Sequence, residues 1–175
     1  MAIQGPDEAP VAELAARLAP LFEDAPRFIE RLVAGRPYGS WEALFERAEA
    51  IALSMPADEQ LELIDAHPRL GASPGSVSAL SFLEQGYARE RAEASAETER
   101  ARVQDDLDRL NAAYEDRFGF RFVVFVAGRS RAAIVPLLEE ALGAEREEEV
   151  VRALRDVVAI AHDRAVVTGL LTRGG

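Results

Sequence analysis

The chain has 175 residues, of which 49% are apolar, and a formal net charge of −11 at pH 7. This length is enough to bury the core of one domain, and we expect a single domain that covers residues 1–175. The acidic charge argues against a nucleic-acid partner, because phosphates need a basic surface. No apolar run approaches the roughly 18 residues of a membrane span, and the N-terminus lacks the layout of a secretory signal. We therefore expect a cytoplasmic protein with no membrane partner.

The residue types that are missing exclude several kinds of chemistry. There is no cysteine, so disulfides, thiolate nucleophiles and zinc–cysteine sites are excluded. All 20 basic residues are arginine, and without lysine there is no Schiff-base chemistry and no covalently held pyridoxal phosphate. Two histidines cannot form a three-histidine zinc site, and the HExxH motif does not occur. We expect neither a metal nor a cofactor.

The first elements predicted along the chain are a leader and three helices. We expect residues 1–9 to form a loose leader. Apolar residues at helical spacing predict a first helix from Pro10 and a second helix after Pro26, which stops at Gly35. Ser40 is a suitable N-cap for the third helix.

The fourth predicted helix ends at a histidine. Ser54 is a suitable N-cap for this helix, with Pro56 in its first turn. Pro68 disfavours a helical conformation of the preceding residue, so we expect the helix to end at His67. The imidazole therefore lies at a helix terminus, beside a loop rich in Gly, Ser and Pro.

Beyond that loop the pattern predicts a capping box, a long helix and an apolar strip. Ser81 and Glu84 have capping-box spacing, so a fifth helix is expected to follow them. Residues 88–117 are rich in charge and carry one apolar stripe, which is typical of a long solvated helix. The apolar strip, residues 118–126, is aromatic and β-branched, and we interpret it as a buried extended segment that could end in one helical turn.

Two more helices complete an all-α bundle of seven to eight helices with one short buried extended segment. Ser130 predicts the N-cap of a helix that is interrupted or restarted at Pro136 and closes at Gly143. The last helix is expected over residues 146–171.

His67 and Glu84 flank the loop and are candidates for an acid/base pair, because imidazole and carboxylate groups both titrate close enough to neutrality to be tuned. A structural alternative stays open for each. A protonated His67 could complement the negative end of the helix dipole. Glu84 could bond the backbone N–H of Ser81, as a capping-box glutamate does.

Arg164 shares the inward face of the last helix with Val157 and Ile160. A guanidinium on an apolar stripe keeps its charge and needs an anion, either a glutamate of this chain or the carboxylate of a ligand. His162 lies about 200° around the same helix, so we expect it at the surface and give it no role. The apolar strip belongs to the core, but its backbone N–H groups could also bind the carbonyls of a polar heterocycle.

These segments together resemble the 2-oxo-4-hydroxy-4-carboxy-5-ureidoimidazoline (OHCU) decarboxylases of the urate-to-allantoin pathway. The resemblance extends over nearly the whole chain. It is carried by LFEDAPRFIERLVAGRPY at 21–38, AHPRLG at 66–71, the SxxEQ motif at 81–85, LNAAYEDRFGF at 110–120, and Arg164. The sequence departs from the family at Arg121, where many relatives have proline, and we expect a solvated surface arginine there.

The resemblance implies that His67 and Glu84 are the catalytic residues. It also implies a set of substrate-binding residues, namely Pro68, Ser81, Gln85, Phe122, Val123, Val124 and Arg164. The reaction implied is the cofactor-independent decarboxylation of OHCU, a small anionic ureidoimidazoline, to (S)-allantoin. Members of this family are commonly dimers, so a homodimer is implied as well.

Two alternatives stay open at the level of sequence. The chain could be a decarboxylase or lyase of a related ureido or hydantoin acid. It could also be a non-catalytic helical binding protein, in which His67 and Glu84 serve only the helix ends and Arg164 forms an internal ion pair.

Overall fold

The structure is a computed structural model that describes residues 4–72, 74–85 and 97–171. The described residues contain eight α-helices and no strand, so the predicted all-α class with seven to eight helices is confirmed. They divide into two compact units, the first within residues 1–67 and 150–175 and the second within residues 68–149. The assignment of residues 1–175 to one domain stays a prediction.

The first unit contains four N-terminal helices and most of the last helix. They are α1 (Val11–Leu18), α2 (Pro26–Ala34), α3 (Trp41–Ser54), α4 (Ala57–Ala66) and α8 (Arg146–Val167), with a 3₁₀ turn at Ala19–Leu21 after α1. Helix α2 packs against α1, α3 and α4. The core of this unit includes Leu14, Leu18, Phe28, Leu32, Leu44, Ala48, Leu63, Ile64, Val157 and Ala161. These apolar positions recur at helical spacing, which is why one face of each helix is buried.

The second unit contains three helices and the start of α8. They are α5 (Ala79–Glu84), α6 (Glu97–Phe118) and α7 (Arg131–Ala141), and a 3₁₀ turn covers Pro74–Ser76. Helix α6 packs against α7. Its buried stripe includes Leu107, Leu110 and Tyr114. The part of the predicted long helix at residues 88–96 lies outside the described residues.

The loose leader is wrong for residues 4–9, since hydrogen bonds hold this segment against α2 and α3. The Asp7 carboxylate accepts hydrogen bonds from the backbone N–H groups of Tyr38 and Gly39. Trp41 Nε1 donates to the Gln4 carbonyl oxygen at 3.2 Å. An aspartate and a carbonyl that bind distant backbone and ring N–H groups have no periodic pattern, so helical spacing could not reveal them.

Of the two N-caps predicted in the first unit, one is correct and one is displaced. Ser40 does cap α3, and its Oγ accepts from Ala43 N at 3.1 Å. Ser54, however, is the last residue of α3, where its Oγ donates to the Ile51 carbonyl oxygen, and the residue before α4 is Pro56. A serine can bond backwards to a carbonyl of its own helix as readily as it can cap the next one, so its presence alone did not fix the boundary.

The predicted capping box at Ser81 and Glu84 is also wrong. The N-cap of α5 is Ser78, whose Oγ accepts from Ser81 N, so Ser81 and Glu84 both lie inside this six-residue helix. Serines at 78 and 81 are both suitable caps, and local propensity does not choose between them. The predicted fifth helix therefore begins before Ser81 rather than after it.

The two C-terminal helices differ from prediction in their course and length. Helix α7 is continuous through Pro136, because Ile134 and Leu138 are fully buried on either side of the exposed proline and keep both turns in line. Helix α8 ends at Val167 rather than at residue 171. Gly169 has φ +77°, and its N–H donates to the Val166 carbonyl oxygen, which closes the helix with a Schellman turn.

The apolar strip is neither helix nor strand over residues 119–126. The rings of Phe120 and Phe122 pack edge-on against Tyr114, at centroid distances of 5.6 and 5.2 Å. The strip does not end in a right-handed helical turn, since Ala127 and Gly128 both have positive φ. Within the described ranges, no helix combines the length and the low charge that a membrane crossing requires.

Candidate active site

His67 terminates α4 with an extended backbone, φ −73° and ψ 139°, as the following proline predicts. The imidazole is buried, with 3% of the residue exposed. Its Nδ1 lies 3.3 Å from the carbonyl oxygen of Leu63. Because a carbonyl can only accept, Nδ1 carries the proton, and the lone pair of the neutral ring is on Nε2. The local helix end therefore determines the tautomer of the ring.

The surroundings of His67 favour its neutral form. Burial lowers the pKa of His67 from 6.5 to about 4, and the positive charge of Arg164 contributes in the same direction, while Glu23 partly opposes both. The imidazole is thus uncharged at pH 7. A neutral imidazole disfavours the alternative in which a protonated His67 complements the helix dipole at neutral pH.

Arg164 is buried on the inward face of α8, as predicted, and only 1% of the residue is exposed. Its Nη2 donates to Glu23 Oε1 at 2.8 Å. Its Nη1 donates to the carbonyl oxygens of Pro20 and Leu21, both at 3.2 Å. The alternative of an ion pair with a glutamate of this chain is therefore realised.

Glu23 is a residue that the sequence did not single out. It follows the 3₁₀ turn, and its φ of 50° and the φ of 60° at Asp24 lie in the left-handed region, which non-glycine residues rarely adopt. The N–H of Asp24 donates to the Ala19 carbonyl oxygen at 2.9 Å and closes this turn. The only sign of Glu23 in the sequence was that a buried arginine must have an anion as its partner. The partner lies 141 positions away along the chain, and spacing does not identify it.

The second histidine, His162, lies away from this group of buried residues, at the surface. His162 is exposed, as predicted, and its ring lies edge-on to Phe45 with 5.5 Å between centroids. Among the residues that the structure describes, no group of three or more His, Asp or Glu side chains could hold a metal ion.

In the second unit, helix α5 carries the other polar residues that the resemblance singled out. Ser81 and Gln85 are buried, with exposures of 2% and 6%, and Glu84 is half-buried. Gln85 Oε1 accepts from Gly71 N at 2.9 Å. A backbone N–H can only donate, so this bond fixes which end of the carboxamide is the oxygen. Gln85 therefore holds the loop after Pro68, in addition to any role towards a ligand.

Three carboxamides hold this loop, and we call Gln85, Gln104 and Asn111 the amide clamp. Gln104 Nε2 donates to the Gly71 carbonyl oxygen, and Asn111 Nδ2 donates to the Leu70 carbonyl oxygen, both at 2.9 Å. The two α6 members were missed by sequence reasoning. Asn111 follows Leu107 by four positions on the apolar stripe, and a polar residue at a buried helix position was the available signal.

Two members of the amide clamp, Gln85 and Gln104, bind the backbone of Gly71. Its φ is +81°, and a Cβ at this position would lie 3.2 Å from both Gln104 Nε2 and Leu107 Cδ1. Arg131 Nη1 donates to Gln104 Oε1 at 2.9 Å, so the amide of Gln104 has one permitted orientation. The glycine of the AHPRLG motif is thus required by both conformation and space.

The candidate residues of the apolar strip differ in exposure. Phe122 and Val123 are buried, Val124 is half-buried, and Arg121 is exposed, as expected for a surface arginine. At the end of the strip, Arg129 Nε donates to the Val126 carbonyl oxygen at 2.9 Å. This bond secures the turn that leads into α7.

Comparison with known proteins decides the family. The profile described as OHCU decarboxylase matches residues 7–166. The chain belongs to the OHCU decarboxylase family. It is 32% identical over 146 residues to the 2-oxo-4-hydroxy-4-carboxy-5-ureidoimidazoline decarboxylase of Haloferax volcanii, with 82% of each chain covered.

Two bacterial relatives are longer proteins. The chain is 30% identical over 155 residues to a uric acid degradation bifunctional protein of Bacillus sp. (strain TB-90) and 31% identical over 147 residues to that of Bacillus subtilis. These matches cover 89% and 84% of this chain but only 30% and 28% of the bifunctional proteins. The chain thus spans less than a third of their length.

Solved structures share the fold. A crystal structure of OHCU decarboxylase in the presence of (S)-allantoin matches with a TM-score of 0.65 at 21% identity, covering 87% of this chain and 96% of that one. A crystal structure of (S)-allantoin synthase matches with a TM-score of 0.64 at 24% identity, covering 93% and 51%. The all-α architecture is therefore that of this enzyme family.

Proposed function

We propose that this chain is a carboxy-lyase that converts OHCU to (S)-allantoin without a metal or cofactor. Membership of the family supports the reaction class, and the Haloferax relative carries the name of this activity over a similar length. The observation that carries the proposal is the state of His67: a buried, neutral imidazole with a fixed tautomer, within the electrostatic influence of the buried Arg164. Perturbed titrating groups of this kind are typical of catalytic sites.

The substrate itself can accept the electrons of the reaction. The bond between the carboxylate and the hydroxyl-bearing ring carbon breaks, and CO2 leaves. Its electron pair forms a double bond to the neighbouring ureido-bearing carbon, whose C=N pair moves onto nitrogen. The hydroxyl then becomes a carbonyl as it gives its proton to a base, and the ring nitrogen and the ureido-bearing carbon each take up one proton to give allantoin. The net reaction consumes one proton from solvent. The protein has only to orient the substrate and place charges and protons.

Arg164 is the proposed binding group for the anionic part of the substrate. A guanidinium keeps its charge when buried and presents planar N–H donors that match a carboxylate. Its position between two backbone carbonyls and Glu23 gives it a defined orientation before any ligand arrives. Such preorganisation lowers the ordering cost of binding.

His67 is the proposed acceptor of the substrate's hydroxyl proton. With Nδ1 protonated and the ring neutral, Nε2 is a base rather than an acid at pH 7. Deprotonation of the hydroxyl adds electron density to the carbon that loses CO2. Glu84 is the proposed second catalytic group, which polarises the same carbon, and its partial exposure leaves a carboxylate accessible to a ligand.

The remaining binding residues are proposed from the resemblance and from their burial. Ser81 and Gln85 offer polar side chains on α5, and Pro68 adjoins the histidine in the chain. The backbone groups of Phe122, Val123 and Val124 are proposed to bind the ring of the substrate.

We also propose that the protein is a cytoplasmic homodimer, and the homodimer rests on the resemblance. Light scattering coupled to size-exclusion chromatography measures the oligomeric state directly. A mass of one chain across a range of concentrations would contradict the dimer.

The test compares the two histidines. OHCU is generated in situ, and its decarboxylation is followed with His67→Asn and with the matched variant His162→Asn. Loss of a catalytic base reduces kcat by about 100-fold or more, so we expect that loss for His67→Asn and wild-type turnover for His162→Asn. A folded His67→Asn variant with near-normal turnover would contradict the proposed role of His67, whereas folded wild-type protein without turnover would favour the non-catalytic alternative.

A further inference from the structure

Hydrogen bonds, in addition to burial, hold the side chain of Arg164 in place. Three acceptors from one short segment bind its guanidinium: the carbonyl oxygens of Pro20 and Leu21 on Nη1, and the carboxylate of Glu23 on Nη2. Bonds to two different nitrogens of a planar group fix both its position and the orientation of its plane. The segment at residues 20–23 therefore helps to determine the direction in which the charge and the N–H groups point.

The backbone at Glu23 and Asp24 has a conformation that is unusual for these residue types. Glu23 and Asp24 both adopt left-handed conformations, with φ of 50° and 60°, although neither is glycine. Such conformations are unfavourable for residues other than glycine and persist where the surrounding structure requires them. The result here is that the Glu23 side chain, 14% exposed, reaches a guanidinium that is 1% exposed.

Two roles are chemically distinct for this carboxylate. As a counter-charge it would only neutralise Arg164, and any anion near that position, including an anionic substrate, would be repelled by it. As a positioning group it would hold the guanidinium in the orientation that a ligand needs. The first role depends on charge alone, whereas the second depends on the reach and geometry of the side chain.

We propose that Glu23 is a positioning residue for Arg164: its hydrogen bond to Nη2 keeps the guanidinium in the orientation that binds the anionic substrate. This inference rests on the proposed function. The three bonds on two nitrogens and the left-handed turn carry it, because a mere counter-charge does not require a directed bond at 2.8 Å. Binding is then strongest when the competent orientation of Arg164 is fully populated.

Two variants of Glu23 separate the effect of side-chain length from the effect of charge. Glu23→Asp keeps the charge, and aspartate tolerates left-handed φ better than most residues, but its side chain is one methylene shorter and loses the bond. Glu23→Gln removes the charge but keeps an oxygen at the same reach. Because the competent orientation of Arg164 is then less populated, Glu23→Asp is expected to raise KM by about tenfold, which corresponds to about 1.4 kcal/mol of binding free energy, while kcat changes less. Glu23→Gln is expected to raise KM by a smaller factor.

The matched control is Glu49→Gln, which makes the same chemical change in an exposed ion pair of the same unit, with Arg155. It is expected to keep the wild-type KM. Circular dichroism confirms the folded fraction of each variant. If the wild type and this control do not turn over OHCU, the proposed function itself fails, which is a different result from a failure of this inference.

The direction of the change in KM decides between the two roles. If Glu23→Asp retains the wild-type KM, or if Glu23→Gln lowers it, Glu23 acts through charge and the inference is overturned. Should Glu23→Asp not fold, Glu23→Gln decides alone. Removal of a counter-charge would tighten the binding of an anion, whereas loss of positioning weakens it.

Discussion

The two units hold their candidate site residues by different physical means. In the first unit, His67 and Arg164 are ionisable groups that are buried: the guanidinium pairs with Glu23, and burial together with the charge of Arg164 keeps the imidazole neutral. In the second unit, the neutral amide clamp holds the loop at Leu70 and Gly71 through hydrogen bonds. The stability that the first arrangement contributes should depend on pH, and that of the second should not.

The difference follows from the cost of burying polar groups. A buried charge that loses its partner is uncompensated and strongly destabilising, whereas a buried amide that loses one bond costs the desolvation of a neutral group. Four measurements of stability therefore test this difference between the units.

The largest effect is expected from Arg164→Met. Loss of the guanidinium leaves the Glu23 carboxylate without its ion-pair partner, and we expect the free energy of unfolding to fall by about 3–5 kcal/mol. Urea denaturation measures this loss, and addition of Glu23→Gln to the same chain should recover part of it. Arg155→Met, which breaks an exposed ion pair in the same unit, should leave stability unchanged within experimental error. Equal losses for both arginines would contradict the contrast.

The next effect is the pH dependence that His67 contributes. Its pKa is about 4 in the folded state against 6.5 for the ordinary group, so the unfolded state binds more protons between these values. Stability from this residue is present above pH 6.5 and is lost as the pH falls towards 4, by about 3 kcal/mol. Denaturation at several pH values should show this loss in the wild type and in His162→Gln, but not in His67→Gln. Parallel curves for all three proteins would be incompatible with the depressed pKa.

A smaller and pH-independent loss is expected from Gln104→Leu. The change removes the donor to the Gly71 carbonyl oxygen and the acceptor of Arg131, and we expect a destabilisation of about 2 kcal/mol. Because the amide is neutral, the loss should be the same at pH 5 and pH 8. A loss that varies with pH between these values would show that charge also controls the second unit.

The smallest effect compares two glycines of the second unit. Gly71 and Gly119 have similar positive φ, but only at Gly71 would a Cβ meet side chains within 4 Å. Both alanine variants incur the cost of the backbone conformation, and Gly71→Ala adds crowding against Gln104 and Leu107. We expect Gly71→Ala to be more destabilising by about 1 kcal/mol in thermal or chemical denaturation. Equal losses of stability would mean that the amide clamp accommodates the added methyl group without destabilisation.

The sequence predicted those features that depend on local chemistry. The helix end at His67 follows from Pro68, the start of α3 from Ser40, and the burial of Arg164 from its place on the apolar stripe of α8. Each depends on residues within about two helical turns, which a sequence pattern contains.

The features that were missed depend on distant contacts or on choices between equivalent local signals. Glu23 meets Arg164 across 141 positions, and Asp7 binds backbone N–H groups 31 and 32 positions away. Ser78 and Ser81 are equally good caps by composition, and tertiary packing selected the first. The pairing of glutamine and loop carbonyl in the amide clamp likewise has no periodic signature.

The most direct test of the proposed decarboxylase activity is the handedness of the product. OHCU is prepared from urate with urate oxidase and the hydrolase that follows it, because the compound decays spontaneously, and circular dichroism is recorded with and without the protein. If His67 catalyses the decarboxylation, the (S)-allantoin signal will appear rapidly with wild-type protein and will be lost with His67→Asn. Racemic allantoin formed at the spontaneous rate, in the presence of folded wild-type protein, would contradict it.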